Sequence, residues 1–306
     1  MADIFRNRDE HRLRAGWRIL IHLLLIIAIG LPVLALASLA GNPAALGALI
    51  IAGAITAATW VASIIADKRY FTDFGMVLNR AWWFDYMYGL LVGALAMAGI
   101  FGICLLLGWI EIVEGNPLGS TVLPFLSYFV IMLAVGYYEE LLSRGYHLKT
   151  MAEGFNMASI GPFWAVMLAT LISSSIFGIL HATNPNVSMI AVLNIILAGV
   201  MLAVPYLITG RLGMSCGLHF SWNLFQGGVF GFAVSGGASD ASLIKINELG
   251  PDLYTGGEFG PEAGLLGIAG MAFIVLMMLL YFKITKTKLG IHPDIYTWKD
   301  SRTASA

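Results

Sequence analysis

Six stretches of this chain contain no Asp, Glu, Lys or Arg, and their lengths decide most of what it can fold into. They cover 19–66, 86–110, 115–138, 154–210, 212–239 and 263–282, or 48, 25, 24, 57, 28 and 20 residues. A helix crossing the hydrocarbon core of a bilayer needs about 20 apolar residues. The first and fourth runs therefore hold two spans each and the others one, about eight transmembrane helices in all. The runs are continuously apolar rather than alternating, which fits helices and not the strands of a membrane barrel. The expected fold class is all-α, a polytopic membrane protein. Composition agrees, with 58% apolar and only 11% charged residues, against about 25% charged in an ordinary soluble domain. A soluble chain of this kind has too little polar surface to cover itself. Two cysteines exclude a disulfide framework and a Cys-based zinc module, and Cys104 and Cys216 read as small buried hydrophobes. A net charge of −1 gives no reason to expect nucleic acid as a partner.

Basic residues flank membrane spans on the cytoplasmic side. With the N-terminus in the cytoplasm, all but Lys245 of the 17 Lys and Arg fall on the inner segments. The opposite loops hold Glu111, Glu114, Asp240, Glu248, Asp252, Glu258 and Glu262. This asymmetry predicts an even number of spans and both termini inside: a tail over 1–16, one transmembrane domain over 17–284, and a second tail over 285–306. The first 16 residues do not read as a signal peptide, because the apolar run behind them is too long. The mixed-charge stretch 5–14 reads as solvated, and so does the outer loop at about 235–264, rich in Gly, Asp and Glu, though it has the length to cap the outer face. Gly89 and Gly93, at G-x-x-x-G spacing, read as close packing within the bundle. Trp82 and Trp83 after Arg80 read as an interfacial anchor.

Ionisable groups inside spans are costly, so each is a functional candidate. Glu139 and Glu140 end the fourth span, with Arg144 four residues on; His181 ends the fifth; His219 and Asn223 lie in the seventh; His22 lies in the first. Glu140 and Arg144 at i, i+4 meet on one helix face, so one carboxylate is neutralised. Glu139 points about 100° away and is left as a general base. His219 and Asn223, also i, i+4, aim two donors in one direction, as a developing oxyanion requires. Taken singly, each group has a bland reading: a cytoplasmic helix end for the glutamates, a packed ring for His181, interhelical glue for His219 and Asn223. Their joint occurrence on three helices favours a site. His22 stands alone and reads as packed or interfacial.

Glu139-Glu140-x-x-x-Arg144, Phe177-x-x-x-His181 and His219-x-x-x-Asn223 resemble, in order, the three motifs of the CPBP family, the CAAX proteases and bacteriocin-processing proteins. The resemblance covers about 121–230, and the segment around Arg14-Ala15-Gly16-Trp17-Arg18 also resembles bacterial members. It implies an intramembrane endopeptidase, similar to type II CAAX prenyl endopeptidases, in a bacterial inner (plasma) membrane. Its partners would be membrane lipid and a peptide or protein substrate. Glu139 would activate water with help from His181. His219 and Asn223 would stabilise the oxyanion, and Glu140, Arg144 and Phe177 would support them. The family also holds members with scaffold or immunity roles, so a catalytically silent protein is the alternative. A proton- or ion-coupled transporter is a more distant one, since no inverted repeat is visible. No cofactor is expected. The alternative is Zn²⁺ on Glu139, His181 and His219, but no H-E-x-x-H pair is present, and Asn223 is a poor zinc ligand.

Overall fold

The computed structural model describes residues 4–7, 10–39, 41, 44–113, 118–238 and 241–301. Of the charges invoked above, Arg8, Glu114, Asp240 and Arg302 lie outside the described residues, as do parts of both expected tails. A two-residue ribbon, β1 (Arg6–Asn7) with β2 (Arg12–Leu13), leads into α1 (Ala15–Leu39) and α2 (Ala44–Ala62), which ends in a π-helical turn, Ser63–Asp67. Then come α3 (Arg80–Leu106), β3 (Ile110–Val113) and α4 (Leu118–Glu140). The latter runs on through a π-helical stretch, Leu141–Leu148, into α5 (Lys149–Phe155). After α6 (Gly161–Leu180), α7 (Met189–Thr209) and α8 (Gly213–Asn223, with a π-helical tail Leu224–Val229) come β4 (Lys245–Glu248), α9 (Asp252–Thr255) and α10 (Leu265–Ile284). The protein is an all-α polytopic membrane protein. Its only sheet pairings among the described elements are two short ribbons, the second joining β3 and β4.

Seven helices among the described residues are long and apolar enough to cross a membrane. They account for every expected span but the seventh. That one is α8 with its π tail, shorter than a bilayer span and enclosed, every residue of Gly213–Ser221 being buried. Burial on all sides is what lets so short a segment carry polar groups. The helix is held by small residues. A side chain at Gly89 or Gly93 of α3 would run into the Met214 carbonyl or the Ser221 hydroxyl of α8. Likewise, Gly213 and Gly217 of α8 press on the carbonyls of Trp82 and Tyr86. The expected close packing is thus intramolecular, with a second G-x-x-x-G, at 213 and 217, answering the first. On its other side, a Cβ at Gly136 of α4 would lie 2.8 Å from the Phe220 nitrogen. Helix α8 is therefore clamped between α3 and α4 at backbone distance.

Local signals place the helix ends. Asn79 caps α3 by accepting from the Trp82 N–H at 3.0 Å, and Ser188 caps α7 by accepting from Ala191 at 3.1 Å. Helix α6 opens on Gly161-Pro162 and stops at His181, because the residue before a proline avoids helical backbone and Asn184-Pro185 follows.

Two expectations about charge are corrected. The stretch 5–14 is not simply solvated, because Arg12 folds back into a buried ion cluster. Glu153 of α5 takes Arg12 at 3.0 Å, Arg18 at 3.1 Å and Arg69 at 2.6 Å, while Asp67 takes Arg18 at 2.5 Å and the Tyr146 hydroxyl at 2.7 Å. Trp298, near the other end of the chain, lies over Arg12 and donates to the Asp67 carbonyl at 2.9 Å. Three guanidiniums surround two carboxylates, and mutual pairing is what allows them to be buried. The loop at 235–264 is not a plain connector either; it packs onto the bundle, with Phe259 and Ala263 buried against Phe177, Ala191 and Ile195. His22 is a packed histidine, fully buried, bonded to Thr59 at 2.9 Å and stacked on Tyr146. Trp82 is buried and donates to the Gly75 carbonyl, so only Trp83 keeps the exposure expected of an interfacial anchor. Cys104 and Cys216 are buried and free.

Candidate active site

A cavity of about 470 Å³ opens between α4, α6, α7, α8 and the start of α10, and Glu139, His181, His219 and Asn223 all line it. Its remaining wall is mostly apolar, with Tyr138, Phe177, Trp222, Met132, Leu202 and Ile274 among the contributors. An apolar cleft with a few convergent polar groups is the usual form of a small-molecule or peptide site.

Glu140 lies behind this cavity rather than in it. Its side chain is fully buried, and one oxygen, Oε1, accepts from Arg144 Nη1 at 2.8 Å and from His219 Nδ1 at 2.8 Å. Arg144 in turn donates to the Gly199 carbonyl at 3.0 Å and lies 4.4 Å above the Phe177 ring, where the face of the aromatic quadrupole attracts a cation. The expected division between the glutamates is visible here. Glu140 is neutralised by its i+4 arginine, and Glu139, with 21% of its side chain exposed, faces the cavity. The interhelical bond from His219 to Glu140 has no signature in the sequence, because the partners are 79 residues apart.

That bond also fixes the His219 ring. A carboxylate only accepts, so Nδ1 carries the proton and Nε2 is left for the cavity. Nε2 lies 3.8 Å from Glu139 Oε2, too far for a direct hydrogen bond; the two groups face a common gap. His181 is set in the same manner by a different partner. It follows the last turn of α6, where helix carbonyls lose their backbone donors, and its Nδ1 donates to the Phe177 carbonyl at 2.8 Å. Its Nε2 is the nitrogen left over. Phe177 thus touches three groups of the site: its ring packs at 5.0 Å from His181, at 6.1 Å from His219, and beneath Arg144. Asn223 is the last residue of α8 and lines the cavity where the helix widens into its π-helical tail. A π-helical stretch also follows Glu140 directly. Such turns concentrate at functional sites because they re-aim neighbouring side chains.

Among the described residues no group of three or more His, Cys, Asp or Glu side chains is placed to hold one ion.

Sequence reasoning missed one further acid. Glu262, buried just before α10, lines the same cavity together with Ser235 and Asn184. Burial raises its carboxyl above the usual glutamate value, opposed by the donors around it. The only signal available was a Glu in a loop otherwise read as solvated.

No curated protein and no solved structure matches the chain. Residues 121–225 match the family model described as type II CAAX prenyl endopeptidase Rce1-like. This segment contains Glu139, Glu140, Arg144, Phe177, His181, His219 and Asn223, and lies in a chain with seven helices able to cross a membrane. Over residues 121–225 this multi-pass membrane protein is thus similar to the type II CAAX prenyl endopeptidase family.

Proposed function

We propose that the protein is an intramembrane endopeptidase that hydrolyses peptide bonds of membrane-associated peptides or proteins with a glutamate-activated water. The observation that carries this reading is the convergence of Glu139, His181, His219 and Asn223 on one cavity while Glu140 is tied up behind it. Glu139 takes a proton from a water as its oxygen attacks the scissile carbonyl carbon. His181 steadies the same water through Nε2. The carbonyl oxygen becomes an oxyanion, met by the Asn223 carboxamide and by Nε2 of His219 in its doubly protonated form. When the tetrahedral intermediate collapses, the C–N bond breaks and Glu139 returns the proton to the leaving amine. Fixed donors in a dry site stabilise such an oxyanion more than water does. The residues are placed in metal-free roles because the donor set does not close around an ion. The positive bias of the segments assigned to the inside supports cytoplasmic termini.

The test is a digest of a mixed peptide library by the purified protein in detergent, read by mass spectrometry. New peptide ends that appear with the wild type and not with Glu139→Gln support the reading. A library left intact by well-folded wild type under a range of lipids, or cut equally by both proteins, overturns it in favour of a silent scaffold.

A further inference from the structure

The far wall of the cavity is built by the loop after α8, and one buried carboxylate holds it. Glu262 is 6% exposed. Its oxygens accept from the Gln226 side-chain amide, the Ser235 N–H and, at 3.1 Å, the Ser235 hydroxyl. Ser235 then passes the connection on: its carbonyl accepts from Asn184 Nδ2 at 3.0 Å, and the Asn184 N–H donates to the His181 carbonyl at 3.1 Å. A second contact runs beside this chain. Gly236 sits against the Pro185 carbonyl so tightly that no side chain fits there. Glu262, Ser235, Asn184 and His181 all line the cavity that holds Glu139.

We propose that Glu262 is a positioning residue for the hydrolysis described above: through Ser235 and Asn184 it fixes the turn that carries His181, and so the placement of that imidazole in the cavity. The proposal rests on the hydrolytic reading. His181 needs such support because it stands one residue beyond α6, where helix ends fray, and a reacting group displaced by an ångström loses much of its effect. The chemistry at 262 is specific. Three donors converge on it, so an acceptor-only carboxylate satisfies all of them. An amide at 262 can keep its oxygen toward Ser235 and turn its N–H₂ to the unpartnered Gln226 Oε1, so only removal of the carboxylate, as in Glu262→Ala, cuts the relay.

The experiment uses the full-length protein with Glu262→Ala, Asn184→Ala and the double variant. It reads two quantities: steady-state peptide cleavage, and the rate at which diethyl pyrocarbonate modifies His181, followed by peptide mass spectrometry with buried His219 as internal reference. Each single variant is expected to lower kcat by about tenfold or more with KM within about twofold, the pattern of misplacement rather than lost binding. The double variant should be no worse than the weaker single, because both cut one relay and their effects do not add. Modification of His181 should speed up about threefold or more in each variant, as loss of one hydrogen bond of ordinary strength allows, while His219 keeps its rate. An unchanged His181 rate in both single variants, or kinetic effects that multiply in the double, overturns the proposal. If Glu262→Ala does not fold, Asn184→Ala alone decides, since its side chain is only half-buried. A wild type that cleaves no peptide refutes the hydrolytic reading, and the His181 rates still report on the relay.

Discussion

At the scale of single residues, the site separates two glutamates that are neighbours in sequence. Glu140 serves Arg144 and His219 with one oxygen, so Glu140→Gln is expected to unpair a buried guanidinium. Breaking a buried pair costs about 3–5 kcal/mol, and a detergent melting curve should show it as a marked drop in Tm, alongside lost activity. Asn223→Ala should instead leave the melting curve in place. It should lower kcat by roughly 10²–10³ with KM nearly constant, as removal of one oxyanion donor does. A raised KM with unchanged kcat would assign Asn223 to substrate binding instead. The i, i+4 logic of Glu140 with Arg144 was legible because it is local to one helix. The ring placements were not. Nδ1 of His219 is claimed by a carboxylate on another helix and Nδ1 of His181 by the Phe177 carbonyl, and neither tautomer follows from spacing alone.

At the scale of elements, the least expected feature is that the helix carrying His219 and Asn223 is the one too short to span a bilayer. Its uncharged run reads as a span like the others, since hydropathy reports what surrounds a segment only on average. What distinguishes it is the glycine pairing with α3, visible in sequence as Gly89 and Gly93 but not as the answering Gly213 and Gly217. Gly217→Val would force a branched side chain against the Tyr86 carbonyl. Overpacking of this kind costs about 1–3 kcal/mol, and with backbone on the far side the upper end is expected. The shift passes to His219 two residues on, so activity should fall further than Tm does. A variant that melts early but keeps wild-type kcat would show that α8 does not need this clamp to aim its imidazole. The loop at 235–264 was misread for a related reason. Gly, Asp and Glu suggest solvent, but Gly236 and Gly260 are there because the backbone comes too close to Pro185 and Ala233 for any side chain, and Glu262 is satisfied internally.

At the scale of the whole molecule, the buried ion cluster joins segments far apart in the chain. Arg12, Arg18, Arg69, Asp67, Glu153 and Trp298 tie both ends of the described chain to α2 and α5. Glu153→Gln should leave three guanidiniums with only Asp67 and the part-exposed Glu10 and cost about 3–5 kcal/mol, read as a lower Tm and as faster proteolysis near both termini. Turnover per folded molecule should stay the same, since Glu153 does not line the cavity. Most of the architecture was legible because uncharged runs measure themselves against a bilayer of fixed thickness. The cluster was not, because its members read one at a time as ordinary charges near helix ends.

The central claim is that Glu139 drives hydrolysis without a metal, and one paired measurement addresses it: the turnover of a cleaved peptide by wild type and by Glu139→Gln, both dialysed against a strong chelator and checked by elemental analysis. The account predicts full activity in the dialysed wild type and a loss of about 10²–10⁴-fold in the variant, the usual contribution of a general base, with matching melting curves. Wild-type activity that vanishes on chelation and returns with stoichiometric zinc, or a variant that turns over at the wild-type rate, would contradict it.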